Sequence, residues 1–368
     1  MSVIANIATE VPANKYDQAD LASFMCEQFD FSESEINRLK LMYARSGIKT
    51  RYATIPIFAS QNDENLFFSS KTNASSSPSI EQRMALFNES ALPLSIKAIE
   101  NCIQNKVALS EITHLITVSC TGLSAPGLDI DIVQSLKLNP TINRTSINFM
   151  GCYAALHALK QADYICKSDS KAVVVIVCVE LCSLHFQHIN DADNIAANLL
   201  FADGAAAALI VPDEVALNNN WKGLEIKNFY SYLELDGKRD MAWQLSQTGF
   251  LMTLSAYIPQ WIESGFKQLF DDAIEKLNLN KTDITHWAIH PGGRKIIEVI
   301  QKELGLSANE LDSSYKILKE YGNMSSPTFL FVLQDIWEHK IDRTKNELIF
   351  GAAFGPGLTM ETIILQHV

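Results

Sequence analysis

The stretch Thr145-Ser146-Ile147-Asn148-Phe149-Met150-Gly151-Cys152-Tyr153-Ala154-Ala155 changes periodicity across a single glycine. Thr145 to Phe149 alternates and is rich in β-formers, which predicts a strand. Cys152 to Cys166 carries apolar residues at helical spacing, which predicts a helix. Gly151 permits the tight turn between them. The same alternation extends in both directions. Upstream, His114 to Ser119 reads as a strand and Leu128 to Leu136 as a helix; downstream, Ala172 to Val179 and Ala205 to Val211 read as buried strands. Polarity rises at Asn218-Asn219-Asn220, and the alternation then resumes. A helix is predicted over Tyr257 to Leu277, a strand over His286 to Ile289, and helices over Lys295 to Leu304 and Pro327 to Glu338. Strands over Glu347 to Phe354 and Met360 to Leu365 close the chain. Strands alternating with helices predict an α/β fold with covered sheets, in two halves, 1–217 and 218–368. The pattern is compatible with a duplication but does not prove one. A helix over about Ile80 to Asn105 is expected to kink or divide at Pro93. Residues 53–80, rich in Ser and Asn, read as a surface excursion.

The chain has 368 residues, 47% hydrophobic and 20% charged, enough apolar content for a large core. Its formal net charge is -12, which argues against a general nucleic-acid binder. No apolar run reaches the length of a membrane span, and the first residues lack the pattern of a signal peptide. The seven cysteines are scattered, with no CxxC pair, which argues against a zinc or redox motif; no metal site is expected. Unpaired thiols point to a reducing, cytoplasmic location, so the five glycosylation sequons, such as Asn143-Arg144-Thr145, are read as chance.

Three residues stand where chemistry collects. Cys152 follows a strand and starts a helix, where backbone N–H groups and the dipole favour a thiolate. His290 ends the strand Thr285-His286-Trp287-Ala288-Ile289, ahead of Pro291-Gly292-Gly293, and strand C-termini in α/β sheets gather sites. Asn323 lies in Tyr321-Gly322-Asn323-Met324-Ser325-Ser326-Pro327, where Ser326-Pro327 reads as an N-cap followed by proline in the first turn. Each has a plainer alternative in isolation: a small buried thiol, a histidine satisfied at a loop edge, an asparagine chosen for turn geometry.

Taken in order, these segments resemble the type III polyketide synthases, the chalcone synthase family. Gly151-Cys152 resembles the nucleophile motif and Ile289-His290-Pro291-Gly292-Gly293 the histidine loop. Tyr321-Gly322-Asn323-Met324-Ser325-Ser326 resembles the asparagine motif, and Phe354-Gly355-Pro356-Gly357-Leu358-Thr359 the C-terminal loop. Leu200-Phe201-Ala202-Asp203-Gly204-Ala205 resembles the gatekeeper segment. The resemblance implies a thiolase-like layered αβαβα fold of two similar halves and a homodimer. It implies an acyl-CoA starter and malonyl-CoA as substrates, with no cofactor. It places the acyl chain on Cys152 and gives His290 and Asn323 the malonyl thioester and its enolate. Ser325, Gly292, Gly293, Gly355, Pro356 and Gly357 fall on substrate-binding positions.

Other matches are partial. Phe201 falls on one gatekeeper position, and Met252 on the second, where plant members carry phenylalanine. Arg38 and Arg45 fall on basic positions that meet the CoA phosphates, with Leu41 where a third basic residue is usual. Ala125 falls where a methionine often reaches the partner subunit's site. His185 and Trp243 fall on cavity-lining positions that vary with substrate. The nearest alternative is a ketoacyl-ACP synthase III, against which the asparagine motif and C-terminal loop speak. A second is a silent acyl-binding scaffold, against which the intact Cys152, His290 and Asn323 speak.

Overall fold

The computed structural model describes residues 1–56 and 77–368. Most of the expected excursion over 53–80 lies outside the described residues. The first half contains β1 (Ser2–Glu10), β2 (Asn14–Asp17), α1 (Gln18–Gln28), α2 (Glu33–Arg45) and β3 (Thr50–Ala53). It continues through α3 (Ile80–Ile103), β4 (His114–Ser119), α4 (Leu128–Leu136), β5 (Asn143–Asn148), α5 (Ala154–Ser168), β6 (Val174–Leu181), α6 (Ala192–Leu200), β7 (Asp203–Pro212) and α7 (Asp213–Asn218). The second half contains β8 (Leu224–Leu233), the hairpin β9 (Met241–Ser246) and β10 (Gly249–Leu254), α8 (Ile258–Glu275), β11 (Ile284–Ile289), α9 (Arg294–Leu304), α10 (Asp312–Tyr321), α11 (Ser326–His339), β12 (Leu348–Gly355) and β13 (Thr359–His367).

Nine strands form one mixed sheet in the order β11-β12-β13-β8-β1-β7-β6-β4-β5. The pairing scheme repeats. From β1 outward the first half pairs antiparallel to β7, antiparallel to β6, then parallel to β4. From β8 outward the second half pairs antiparallel to β13, antiparallel to β12, then parallel to β11. The halves join through a short β1–β8 contact, Val3 opposite Glu225 and Ile4 opposite Leu224.

Helices cover both sets of strands. α3 packs its buried face on the first set with Val175, Val177 and Leu209. α5 and α11 lie in the middle, in one core with Ile176 and Ala208 of the first set and Ile349 and Ile363 of the second. α8 and α9 cover the far face of the second set with Phe350 and Ile364. The result is five layers, α–β–α–β–α, as the resemblance implied. Strands β6 and β7 are buried along their whole length because helices press on both faces, so they read as unbroken apolar runs.

Two local expectations change. Pro93 does not divide its helix: α3 is continuous over 24 residues, packed along β1, β6 and β7 despite the missing N–H. Ser326 is not the N-cap. It is the first residue of α11, while Ser325 is the capping residue and makes no side-chain cap. The Ser326 hydroxyl instead donates to buried Glu180 at 2.7 Å.

Candidate active site

The turn between β5 and α5 presents Cys152 through unusual backbone. Phe149 has φ +58° and Gly151 has φ +82°. A left-handed conformation strains a bulky residue by roughly 1–3 kcal/mol. The Phe149 ring is held edge-on against Phe250, with centroids 5.0 Å apart. The Gly151 amide donates to the Cys120 sulfur at 2.9 Å. Below the turn, Gly355 has no side chain because a Cβ there would come within 2.6 Å of the Tyr153 ring and 3.3 Å of the Cys152 amide nitrogen.

Cys152 is buried, two residues ahead of α5. Its sulfur lies 3.9 Å from Asn323 Oδ1 although 171 residues separate them. Burial pushes the thiol up to about 11, against the pull of its hydrogen bonds with Ser325 and Asn323. Loss of solvent opposes the thiolate, while the neighbouring hydrogen bonds favour it.

Asn323 sits in the turn between α10 and α11 with its amide fixed on both sides. Oδ1 accepts from the Ser325 amide at 2.8 Å, and Nδ2 donates to the Gly292 carbonyl at 3.2 Å. That pattern sets the amide orientation and leaves the second N–H of Nδ2 uncommitted. The Asn323 backbone forms an isolated parallel bridge with Phe201. His290, at the end of β11, is fully buried, and both ring nitrogens lack a hydrogen-bond partner among the described residues. Burial lowers its imidazole to about 3, so the ring is neutral. A Cβ at Gly292 would come within 2.9 Å of Ile296 Cδ1 and 3.7 Å of the imidazole, so the chain passes close to the ring there.

Cys152, His290 and Asn323 line one cavity of about 870 Å³, together with Phe201, Met252, His185, Trp243, Ser325, Gly292 and Pro356. Among the described residues Gly293, Gly355 and Gly357 do not line it: Gly293 packs beside Leu200, and Gly355 supports the nucleophile turn. Arg38 and Arg45 stand on the exposed face of α2, with exposed Leu41 between them, and do not line it either. Ala125, in a cis Ala125–Pro126 bond, is exposed.

One wall is a set of locked aromatic rings. His185 donates from Nε2 to the Thr121 carbonyl at 2.7 Å and accepts the Phe250 amide at 3.2 Å on Nδ1. It stacks on Phe250 at 4.3 Å. Burial lowers its pKa to about 3. Trp243 stands edge-on to both rings and donates to the Cys120 carbonyl at 2.7 Å. Met252 lies directly across the hairpin from Trp243.

The sequence did not single out Glu180, Cys120, Cys182 or Phe250. Fully buried Glu180 accepts from the Cys120 amide, Thr121 Oγ1 and Ser326 Oγ, which ties three segments beneath the site. Burial raises its carboxyl pKa, and these donors oppose the rise. A carboxylate ending the apolar run Val174–Leu181 was the available signal.

Comparison with known proteins agrees with this geometry. The family model for chalcone and stilbene synthases, N-terminal domain, matches residues 1–214, and the C-terminal domain model matches residues 232–368. The chain belongs to the chalcone and stilbene synthase family. It is 31% identical to the alpha-pyrone synthesis polyketide synthase-like Pks18 of Mycobacterium tuberculosis, over all of this chain and 92% of the relative. It is 29% identical to a putative chalcone synthase of Bacillus subtilis, over all of this chain and 99% of the other. Among solved structures, PKS-I of the brown alga Ectocarpus siliculosus superposes with a TM-score of 0.91 at 28% identity, covering 100% of this chain and 98% of that one. The C-terminal type III polyketide synthase domain of Steely1 from Dictyostelium gives 0.90 at 26%, covering 100% and 99%. As a member of this family the protein is a type III polyketide synthase, a condensing acyltransferase that uses CoA thioesters. Among the described residues no helix is long and apolar enough to cross a membrane. None of their His, Cys, Asp and Glu side chains form a group of three or more that could hold a metal.

Proposed function

We propose that this synthase loads an acyl starter from acyl-CoA onto Cys152 and extends it with malonyl-CoA by decarboxylative condensation. The poly-β-keto chain then cyclises. The convergence of Cys152, His290 and Asn323 on one cavity carries the proposal. The neutral imidazole accepts the Cys152 proton, and the thiolate attacks the starter thioester, expelling the CoA thiolate, which takes up a proton. Loss of carbon dioxide from malonyl-CoA leaves an enolate. Its oxygen is met by the free N–H of Asn323 and by His290, each donor worth on the order of 3 kcal/mol. The enolate carbon attacks the acyl-cysteine carbonyl, and the Cys152 thiolate leaves. The product is a CoA thioester two carbons longer, with no cofactor taking part.

The proposed boundary between halves, 217/218, lies at the C-terminal end of α7. A homodimer is supported by β5, which among the described residues ends the sheet with one side unpaired and most residues exposed, a template for a second copy. Arg38 and Arg45 serve the CoA phosphates, and Gly293, Gly355 and Gly357 shape the loops behind the site. A cytoplasmic location is supported by the seven free cysteines.

The test separates the half-reactions. Cys152→Ala should abolish acyl-enzyme and polyketide yet still release carbon dioxide from malonyl-CoA. Asn323→Ala should depress decarboxylation about 10²-fold or more while starter loading persists. His290→Ala should impair both. Normal polyketide from Cys152→Ala, or full decarboxylation in Asn323→Ala, would sink the mechanism.

A further inference from the structure

α2 carries a stripe that its own packing does not use. Leu41 and Met42 each stand three or four residues from both Arg38 and Arg45, so the four share one face of the helix. Leu41 is 49% exposed and Met42 38%. The opposite face is spent on the core: Leu39 and Tyr43 are buried in one cluster with Ile195 and Leu199 of α6. Asn194, Ala197 and Asn198 of α6 line the catalytic cavity, so only that helix stands between α2 and the cavity on this side.

The surroundings of the stripe are basic. Just past α2, a Cβ on Gly47 would come within 3.3 Å of Arg294 Cδ, so the first residue of α9 lies against the end of α2. Ile296, two residues further on, lines the cavity. The Lys49 amide donates to the Lys319 carbonyl at 2.7 Å, which brings the end of α10 alongside. Among the described residues Arg38, Arg45, Lys49 and Lys319 form no salt bridge, while Arg294 and Lys295 share Glu298. Glu320 follows Lys319; Glu33 and Glu35 lie at the far end of α2, with Glu35 held in the capping box of Ser32. In a chain of net charge -12 this face draws an acidic partner that the rest of the surface repels. CoA phosphates account for the cations but not for Leu41 and Met42, because a phosphate gains nothing from an isobutyl group or a thioether. A protein does: docking interfaces have an apolar centre inside a charged rim.

We propose that this face docks an acidic acyl carrier protein, which delivers the starter on its phosphopantetheine arm as a second route beside acyl-CoA. This rests on Cys152 being the acylated residue. Leu41 and Met42 form the apolar centre of the contact, and Lys49 and Lys319 belong to its rim. The arm then enters where CoA enters. The Cys152 thiolate attacks the carrier's thioester carbonyl, the bond from the acyl carbon to the arm's sulfur breaks, and the freed thiolate takes up the proton that His290 removed from Cys152. Malonyl-CoA remains the extender.

The test compares hexanoyl-CoA with the hexanoyl-loaded carrier protein of a bacterial type II fatty-acid synthase, using the full-length enzyme and malonyl-CoA. The carrier should acylate Cys152 with a kcat/KM about ten-fold or more above that of hexanoyl-CoA at low salt, and the advantage should shrink as salt rises. The apo carrier, which has no arm, should compete with the loaded one. Leu41→Gln with Met42→Gln keeps the charge and the helix; it should lower kcat/KM for the carrier by about ten-fold or more and leave hexanoyl-CoA within about two-fold. Lys49→Glu with Lys319→Glu should do the same through the rim. Absence of transfer from the carrier overturns the proposal, as does an equal loss with both donors in the glutamine variant. A change of oligomeric state in that variant, with turnover of both donors intact, also overturns it and gives the face to a second copy of this chain. Intact mass spectrometry keeps the underlying assignment separate. An adduct on Cys152 from hexanoyl-CoA but not from the carrier overturns the docking alone, whereas no adduct from either overturns the nucleophile itself.

Discussion

Gly151 rests against the ring of Pro356, so close that a Cβ on Gly151 would come within 2.1 Å of Pro356 Cδ. The first residue turns the chain into the nucleophile, and the second comes from the C-terminal loop of the other half. Gly151 also has φ +82°, which strains any side chain. Gly151→Ala should therefore lower stability by about 1–3 kcal/mol through overpacking and cut acyl-enzyme formation. Pro356→Ala made alongside it should restore part of the loss, because the clash is with the proline ring. Urea midpoints of the two single variants and the double variant check this coupling; strictly additive changes would show that the contact is not what requires glycine.

The pH dependence of Cys152 alkylation tests the role of His290. Burial raises the thiol to about 11 and lowers the imidazole to about 3, so both groups are neutral in the intermediate range and activation requires His290 to take the proton as substrate binds. A thiolate reacts and a thiol does not. In wild type, iodoacetamide inactivation should set in at lower pH than in His290→Ala, whose profile should shift to the alkaline side. Coincident profiles would remove His290 from thiol activation.

Arg38 and Arg45 lie two helical turns apart on the exposed face of α2, and among the described residues neither forms a salt bridge. In a chain of net charge -12 they supply positive charge where CoA phosphates would otherwise be repelled. Replacing both with alanine should raise KM for malonyl-CoA several-fold at low salt and less at high salt, with kcat retained. An unchanged KM would place CoA elsewhere.

Met252 faces Trp243 across the β9–β10 hairpin and is the adaptable member of that wall. Met252→Phe replaces a flexible side chain with a flat ring beside locked ones. Starter preference or product length should shift, with discrimination changing by about ten-fold, while acetyl loading on Cys152 stays intact. Product masses across a starter panel decide it; an unmoved profile would take Met252 out of substrate contact.

Elements with strong local periodicity were legible in the sequence. β4, β6 and β7 are apolar runs, and α5, α8 and α9 carry regular buried faces. β1 and β8 were not. Ser2 and Asn6 interrupt β1, which is nonetheless central: buried Ser2 donates to Asp163 and Asn6 to the Cys102 carbonyl. β8 reads as polar toward its end because its last residues leave the core, Leu233 being exposed. α6 and α10 were also missed: both are short, and α10 keeps polar Ser313 and Ser314 on its buried side.

The sequence by itself determined the covered α/β alternation and the order of the segments carrying Cys152, His290 and Asn323. Both are written in local pattern, where each residue's neighbours along the chain settle its conformation. Only the tertiary structure decided that the Cys152 sulfur lies 3.9 Å from Asn323 Oδ1, that burial raises the thiol, and that Glu180 ties the floor of the site together. These depend on how two sets of strands join at β1 and β8 and on which side chains then lose water. Such relationships cross more than a hundred residues of chain, and no local period encodes them.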